Sequence, residues 1–276
     1  MIFLLWKTML GTALTLLAAA GGTPPPDQTA RVAGFLPSQN AFRFDNNHWP
    51  NVPNYTVSIF SHDITVGNAG SGLCGGMAFA VRDLFEAHQP APTAAIPPDP
   101  GTPLFNYIVA GLTRTFTFRN VSRYIDWIQS SDTSTDSTKG ICWHEINEEW
   151  PLVKADIDAG LLSPLGLVHG QERSGLGYVT GFRHLASCHQ VLAWGYDLTG
   201  TALTLHIYDP NAPGDDQTIA LDTASPDQAT PLKITGYSDG RFRAFFREAY
   251  SYHDPRTPIT CKFAGSTVVS SPGISP

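Results

Sequence analysis

The chain has 276 residues, 42% of them hydrophobic, which is enough for a sizeable core; with a leader set aside, about 250 remain and suit one domain of ordinary to large size. Charged residues make up only 15%, against about 25% in typical globular chains, while Gly (25) and Pro (22) are plentiful, a composition that reads as secreted and loop-rich. A net charge of −7 with no basic cluster offers nothing to a phosphate backbone and excludes a nucleic-acid partner.

Residues 1–20 carry Lys7 near the front, an apolar run from Met9 to Leu17, and Ala18-Ala19-Ala20 before Gly21. This is the pattern of a secretory signal peptide cleaved after Ala20, with an uncleaved membrane anchor as the alternative. Either reading places the rest of the chain outside the cytoplasm, and the membrane becomes a partner only in the second. Residues 21–33, with Thr23-Pro24-Pro25-Pro26 near their start, read as a stiff spacer, and 34–263 as the single domain. Within it, residues 34–66 look extended and are broken by Pro37, Pro50 and Pro53.

Residues 67–88 then run from a Gly-rich loop into a helix, with Cys74 at the junction. Met77, Val81, Leu84, Phe85 and His88 fall on one helical stripe, so this helix is expected to be central and buried. A Pro-rich connector (89–103) follows, then helices over 104–112 and 121–129 and a polar, exposed or mobile linker at 130–138. The next helix spans 145–159, properly starting near Trp150 because of Pro151 and stopping at Gly160. Leu165–Val168 reads as a short buried strand, and 170–187 as a Gly-rich loop over a cleft. Strands are expected at 188–197, 203–208, 217–221, 232–237 and 241–246, and a fraying tail at 264–276. A helical first half and an antiparallel second half make an α+β domain.

The chemistry gathers at three places. A helix N-terminus presents unpaired N–H groups and the positive end of its dipole, which favours a thiolate at Cys74. His189 opens one strand and Asp209 closes the next, so a hairpin between them sets base and orienter side by side. Asn211, two residues on, competes with Asp209 for the orienting role. Cys188 faces away from the imidazole's side of the strand and is a poor nucleophile. His62, His144, His169, His184 and His206 show no partners in the sequence and read as surface or core histidines. His184, Cys188 and His189 lack the second half of a zinc pattern, and no metal or other cofactor is expected. In an oxidising compartment Cys142, Cys188 and Cys261 can supply one disulfide, with Cys74 kept free; the spacing leaves the pair open.

A Cys opening a helix, a His opening a strand and an Asp or Asn on the next strand resembles the papain-like cysteine peptidases. The Asp209-Pro210 ending is similar to the bacterial peptidases that trim double-glycine leader peptides. The resemblance covers roughly residues 60–215 and implies a papain-like α+β fold and a Cys74, His189, Asp209 triad. It also implies an oxyanion donor about six positions before the cysteine, where that superfamily has Gln and this chain has Asn68. Leu73-Cys74-Gly75-Gly76 departs from the Cys-Trp pairing of papain itself. The expected activity is an extracytoplasmic cysteine peptidase or amidase acting through a thioester on a peptide, protein or peptidoglycan-like substrate. An acyltransferase or transglutaminase-like enzyme with the same triad, or a non-catalytic peptide-binding module, are the alternatives.

Overall fold

The computed structural model describes residues 27–49, 55–59, 62–66, 72–170, 184–185, 187–262 and 268–274. The expected leader at 1–20, Asn68, and most of the 170–187 loop lie outside the described residues.

The fold combines helices with an antiparallel half-barrel sheet. Helices α1 (Pro37–Asn40), α2 (Cys74–Glu86), α3 (Pro103–Thr115), α4 (Phe118–Gln129), α5 (Ile141–His144) and α6 (Trp150–Asp158) precede residue 159. Strands β4 (Ser163–His169), β5 (His189–Thr199), β6 (Ala202–Tyr208), β7 (Thr218–Asp222), β8 (Lys233–Ile234) and β9 (Phe242–Arg247) follow it. The sheet runs β8-β7-β6-β5-β4-β9, every neighbour antiparallel. The first eight residues of β5 are buried without alternation, as befits a strand covered on both faces at the middle of a sheet. Its first half pairs with β4, Leu167 opposite His189, and its second half with β1 (Gln28–Arg31). Two small hairpin sheets stand apart: β2 (Tyr55–Ile59) with β3 (His62–Val66), and β10 (Ile259–Lys262) with β11 (Val268–Ser271).

The packing of α2 positions the site. Every residue from Cys74 to Leu84 is buried, so the helix is central rather than amphipathic. Gly76 sets it against α3, since a Cβ there would stand 2.0 Å from the Ile108 carbonyl oxygen. At the far end, the fully buried Asp83 accepts hydrogen bonds from Arg114 (2.5 Å), Tyr107 (2.9 Å), Tyr250 (2.7 Å) and the His253 N–H (3.0 Å). A buried carboxylate with four donors is satisfied, and it pins the helix axially.

At the sheet's outer edge, Glu145 and Glu149 bracket a π-helical turn (Glu145–Glu149) between α5 and α6. Their carboxylates accept the Phe245 N–H (2.7 Å) and the Arg247 N–H (3.0 Å) of β9. Burial pushes the Glu145 pKa well up, against the Phe245 hydrogen bond that lowers it.

Several expectations need correction. Helix α2 ends at Glu86, and His88 is exposed beyond it at φ 53° instead of completing a buried stripe. The spacer expected to reach residue 33 gives way at Gln28–Arg31 to a strand, held by backbone pairing and by Arg31 on Asp197. The expected fraying tail holds β11, with Ser271 and Ile274 buried. The 130–138 linker is exposed over 135–138, as expected, but its first half is tied down by the Asp132–Arg243 ion pair (2.6 Å). Helix α6 starts at Trp150 with Pro151 in its first turn, as expected, but α5 and the π-helical turn precede it without a break from residue 141.

Candidate active site

Cys74 is the first residue of α2 and is 7% exposed. No side chain caps this helix at its N-cap residue Leu73, so the N–H groups of its first turn, the turn that carries the thiol, have no side-chain acceptor from the cap. The double glycine that follows is explained by packing. A Cβ on Gly75 would lie 1.7 Å from the Gln190 Oε1, so Gly75 lets the helix mouth close onto β5, as Gly76 lets it close onto α3. A large residue in the position after the cysteine, as in papain, would collide with Gln190.

The hairpin of β5 and β6 forms as expected, with Leu192 opposite Tyr208. It brings the His189 Nε2 to 2.7 Å from the Asp209 Oδ1, His189 being 5% and Asp209 0% exposed. Burial alone would lower the His189 pKa. The charge of Asp209, the neighbouring Cys74 sulfur and the hydrogen bond to Asp209 overcome it and raise the pKa well above the ordinary imidazole range. For Asp209 burial pushes upward, but the His189 charge and hydrogen bond, the Asn211 N–H (2.8 Å) and the Tyr237 hydroxyl hold it below the usual carboxylate range. Asp209 and His189 therefore form a buried hydrogen-bonded pair, and Cys74 lies near enough to the imidazole to act on its charge.

Asn211 does not orient the imidazole. Its Nδ2 donates to the Tyr237 hydroxyl (3.0 Å) and its Oδ1 accepts from the Asn46 Nδ2 (2.9 Å). Cys188 lies just before β5, where burial pushes its thiol up to about 12, the ordinary behaviour of a structural cysteine. Cys142 is likewise buried and pushed up to about 12. Both are free thiols, so the disulfide expected among Cys142, Cys188 and Cys261 is not formed. Two histidines read as unpartnered have partners: His206 meets Asp197 (2.7 Å), and His144 meets Glu148 (2.8 Å). Among the described residues, no group of three His, Cys, Asp or Glu converges as a metal site.

Two sets of residues escaped the sequence reading. Asn46, 4% exposed, accepts the Leu73 N–H (2.7 Å) and the Trp49 indole N–H (3.1 Å) on Oδ1, while its backbone N–H donates to the Pro210 carbonyl (2.8 Å). It thus clamps the residue before Cys74 to the residues after Asp209. Behind the helix mouth, the buried Glu248 accepts from Gln190 (2.5 Å), and the Tyr124 hydroxyl shares its one proton between Glu248 (3.1 Å) and the His189 carbonyl (3.2 Å). Burial raises the Glu248 pKa to about 7 despite those two hydrogen bonds. Only a run of Asn and Asp at 45–47, ordinarily a turn signal, marks Asn46 in the sequence.

No protein-family model, no curated protein and no solved structure matches the chain.

Proposed function

We propose that the chain is an extracytoplasmic cysteine hydrolase of papain-like organisation that cleaves a peptide or amide bond through a thioester on Cys74. The observation that carries the reading is the imidazole of His189 hydrogen-bonded to a fully buried carboxylate, 2.7 Å away, and electrostatically coupled to a thiol at a helix N-terminus. In this reading Asp209 fixes the ring with Nε2 toward the carboxylate, which leaves Nδ1 for the thiol proton. His189 takes that proton, and the thiolate sulfur bonds to the substrate carbonyl carbon. The Cys74 N–H then faces the developing oxyanion. The C–N bond breaks as the imidazolium returns its proton to the departing nitrogen. Water, deprotonated by His189, attacks the thioester and frees the thiol. A second oxyanion donor at Asn68 remains part of the proposal on the strength of its position alone.

The test is labelling by a thiol-directed probe at neutral pH, alongside hydrolysis of a peptide library. Wild type is expected to label and to turn over at least one substrate. Cys74→Ala is expected to do neither, and His189→Ala to lose both largely. Labelling that survives Cys74→Ala, or a wild-type thiol no faster than a free cysteine, refutes the proposal.

A further inference from the structure

The imidazole of His189 rests against aromatic rings at one end of the sheet: Phe242 at 6.1 Å and an interplanar angle of 28°, and Tyr237 at 6.2 Å. On the flanks of Phe242 stand His169, whose ring centroid is 5.8 Å away, and the guanidinium of Arg241, also at 5.8 Å. Beside them opens a cavity of about 390 Å³ lined by Ile128, His169, His184, Ser187 and Arg241, with Gly170 and Gly240. Its walls are the end of β4, the approach to β5, the start of β9 and the C-terminal turn of α4, so it shares the end of the sheet that carries His189 and Asp209.

Its electrostatics run one way. Among the described residues, two imidazoles and a guanidinium line the cavity and no carboxylate does. Arg241 is exposed and, among the described residues, ion-pairs with no carboxylate; its side-chain contacts are the faces of Tyr237 and Phe242. Burial, followed by the charges of Arg241 and His184, lowers the His169 pKa, the behaviour of a cationic group among its own kind. Chain order adds a direction. In amide cleavage the imidazolium hands its proton to the departing nitrogen, so the leaving group passes on the His189 side of the thiol, and the cavity is joined to His189 through Phe242, whose ring meets both His189 and the cavity-lining His169.

Resting on the hydrolase reading above, we infer that this cavity is the leaving-group subsite and that it selects an amine product bearing a carboxylate, with Arg241 as the residue that reads it. The carboxylate is either the free C-terminal group of the departing amino acid or an acidic side chain on it. A guanidinium whose side-chain contacts are aromatic rings, and which ion-pairs with no carboxylate among the described residues, has N–H groups available for two parallel hydrogen bonds to such a group.

Four peptides separate these sources: a leaving residue of Glu or its isostere Gln, each with a free or an amidated C-terminus. For wild type, kcat/KM is expected to be about tenfold higher for the preferred carboxylate over its neutral counterpart, the worth of one charge-assisted contact. Arg241→Gln is expected to bring that ratio close to one, and Arg241→Lys to keep part of it. Equal rates in wild type, or a preference that survives Arg241→Gln, overturn the inference. If no peptide is cleaved, the affinities of the same four peptides for full-length Cys74→Ala decide. An Arg241-dependent preference for the carboxylate upholds the subsite while the hydrolase reading falls; equal affinities, or no binding, overturn the subsite.

Discussion

Asn46 offers the sharpest test of how the site is held together. Its side chain is buried at 4% exposure and makes three hydrogen bonds: two accepted, from the Leu73 N–H and the Trp49 indole, and one donated, to Asn211. Asn46→Ala leaves two donors and one acceptor without partners in a nearly dry place. An orphaned buried group costs about 1–3 kcal/mol, and partial rehydration of the gap recovers some of it, so the expected loss is about 3–5 kcal/mol. Asn46→Asp is the control: it preserves both accepted bonds but turns an oxygen toward the Asn211 Oδ1 where an N–H stood, so it should cost less than Ala while still weakening the Asn211 link. Urea unfolding reads the stability. The rate of Cys74 alkylation, measured where every variant is fully folded, reads the geometry, because the clamp joins Leu73 to the loop after Asp209. A roughly tenfold slower alkylation is expected for Asn46→Ala, equivalent to about 1.4 kcal/mol in the barrier. An Ala variant within 1 kcal/mol of wild type that also alkylates at the wild-type rate refutes the clamp.

Three further outcomes follow from the same geometry. Gly75→Ala drives a Cβ to 1.7 Å from the Gln190 Oε1 and should destabilise by about 1–3 kcal/mol, and Gln190→Ala should relieve part of that cost in a double-mutant cycle measured by thermal unfolding. Glu248 has a folded pKa raised to about 7, above an ordinary value of 4.5, so its stabilising contribution is complete below pH 4.5 and is lost as pH rises to 7. Glu248→Gln should therefore unfold in more urea than wild type at pH 8, with a gap that shrinks by up to about 3 kcal/mol on moving to pH 4.5, and a pH-independent gap contradicts the assignment. Finally, Asp209→Asn should slow Cys74 labelling far more than Asn211→Ala does, while Asn211→Ala shows up mainly in unfolding; the reverse order would make Asn211 the orienting residue.

The parts of this site legible in the sequence were those written by local pattern. A Gly-rich loop before an apolar helix marks Cys74, and two short strands joined by a turn place His189 beside Asp209, because both signals depend on neighbours within a few residues. What escaped depends on distant partners. Asn46 meets residues 27 and 165 positions away, and Gln190 meets Glu248 across 58, so nothing beside them in sequence marks them as buried. The same holds for β1: Gln28-Thr29-Ala30-Arg31 has no hydrophobic alternation, and it becomes a strand because β5 extends past the end of β4 and leaves backbone groups to pair. Cysteine count and compartment suggested a disulfide, but Cys142 and Cys188 are instead used as small apolar residues, one in the hydrophobic core and the other packed against it.

The two glutamates on the π-helical turn bear on how this protein behaves in a crowd. Strand β9 ends the sheet, and the outward N–H groups of Phe245 and Arg247 would otherwise be a template for a stranger's strand. Glu145 and Glu149 occupy both, and a π-helical turn places two carboxylates along one strand without any backbone having to approach it. Self-association by sheet extension is thereby blocked along β9. The opposite margin is the two-residue β8, too short to template a growing fibril, so neither β8 nor β9 invites aggregation during folding.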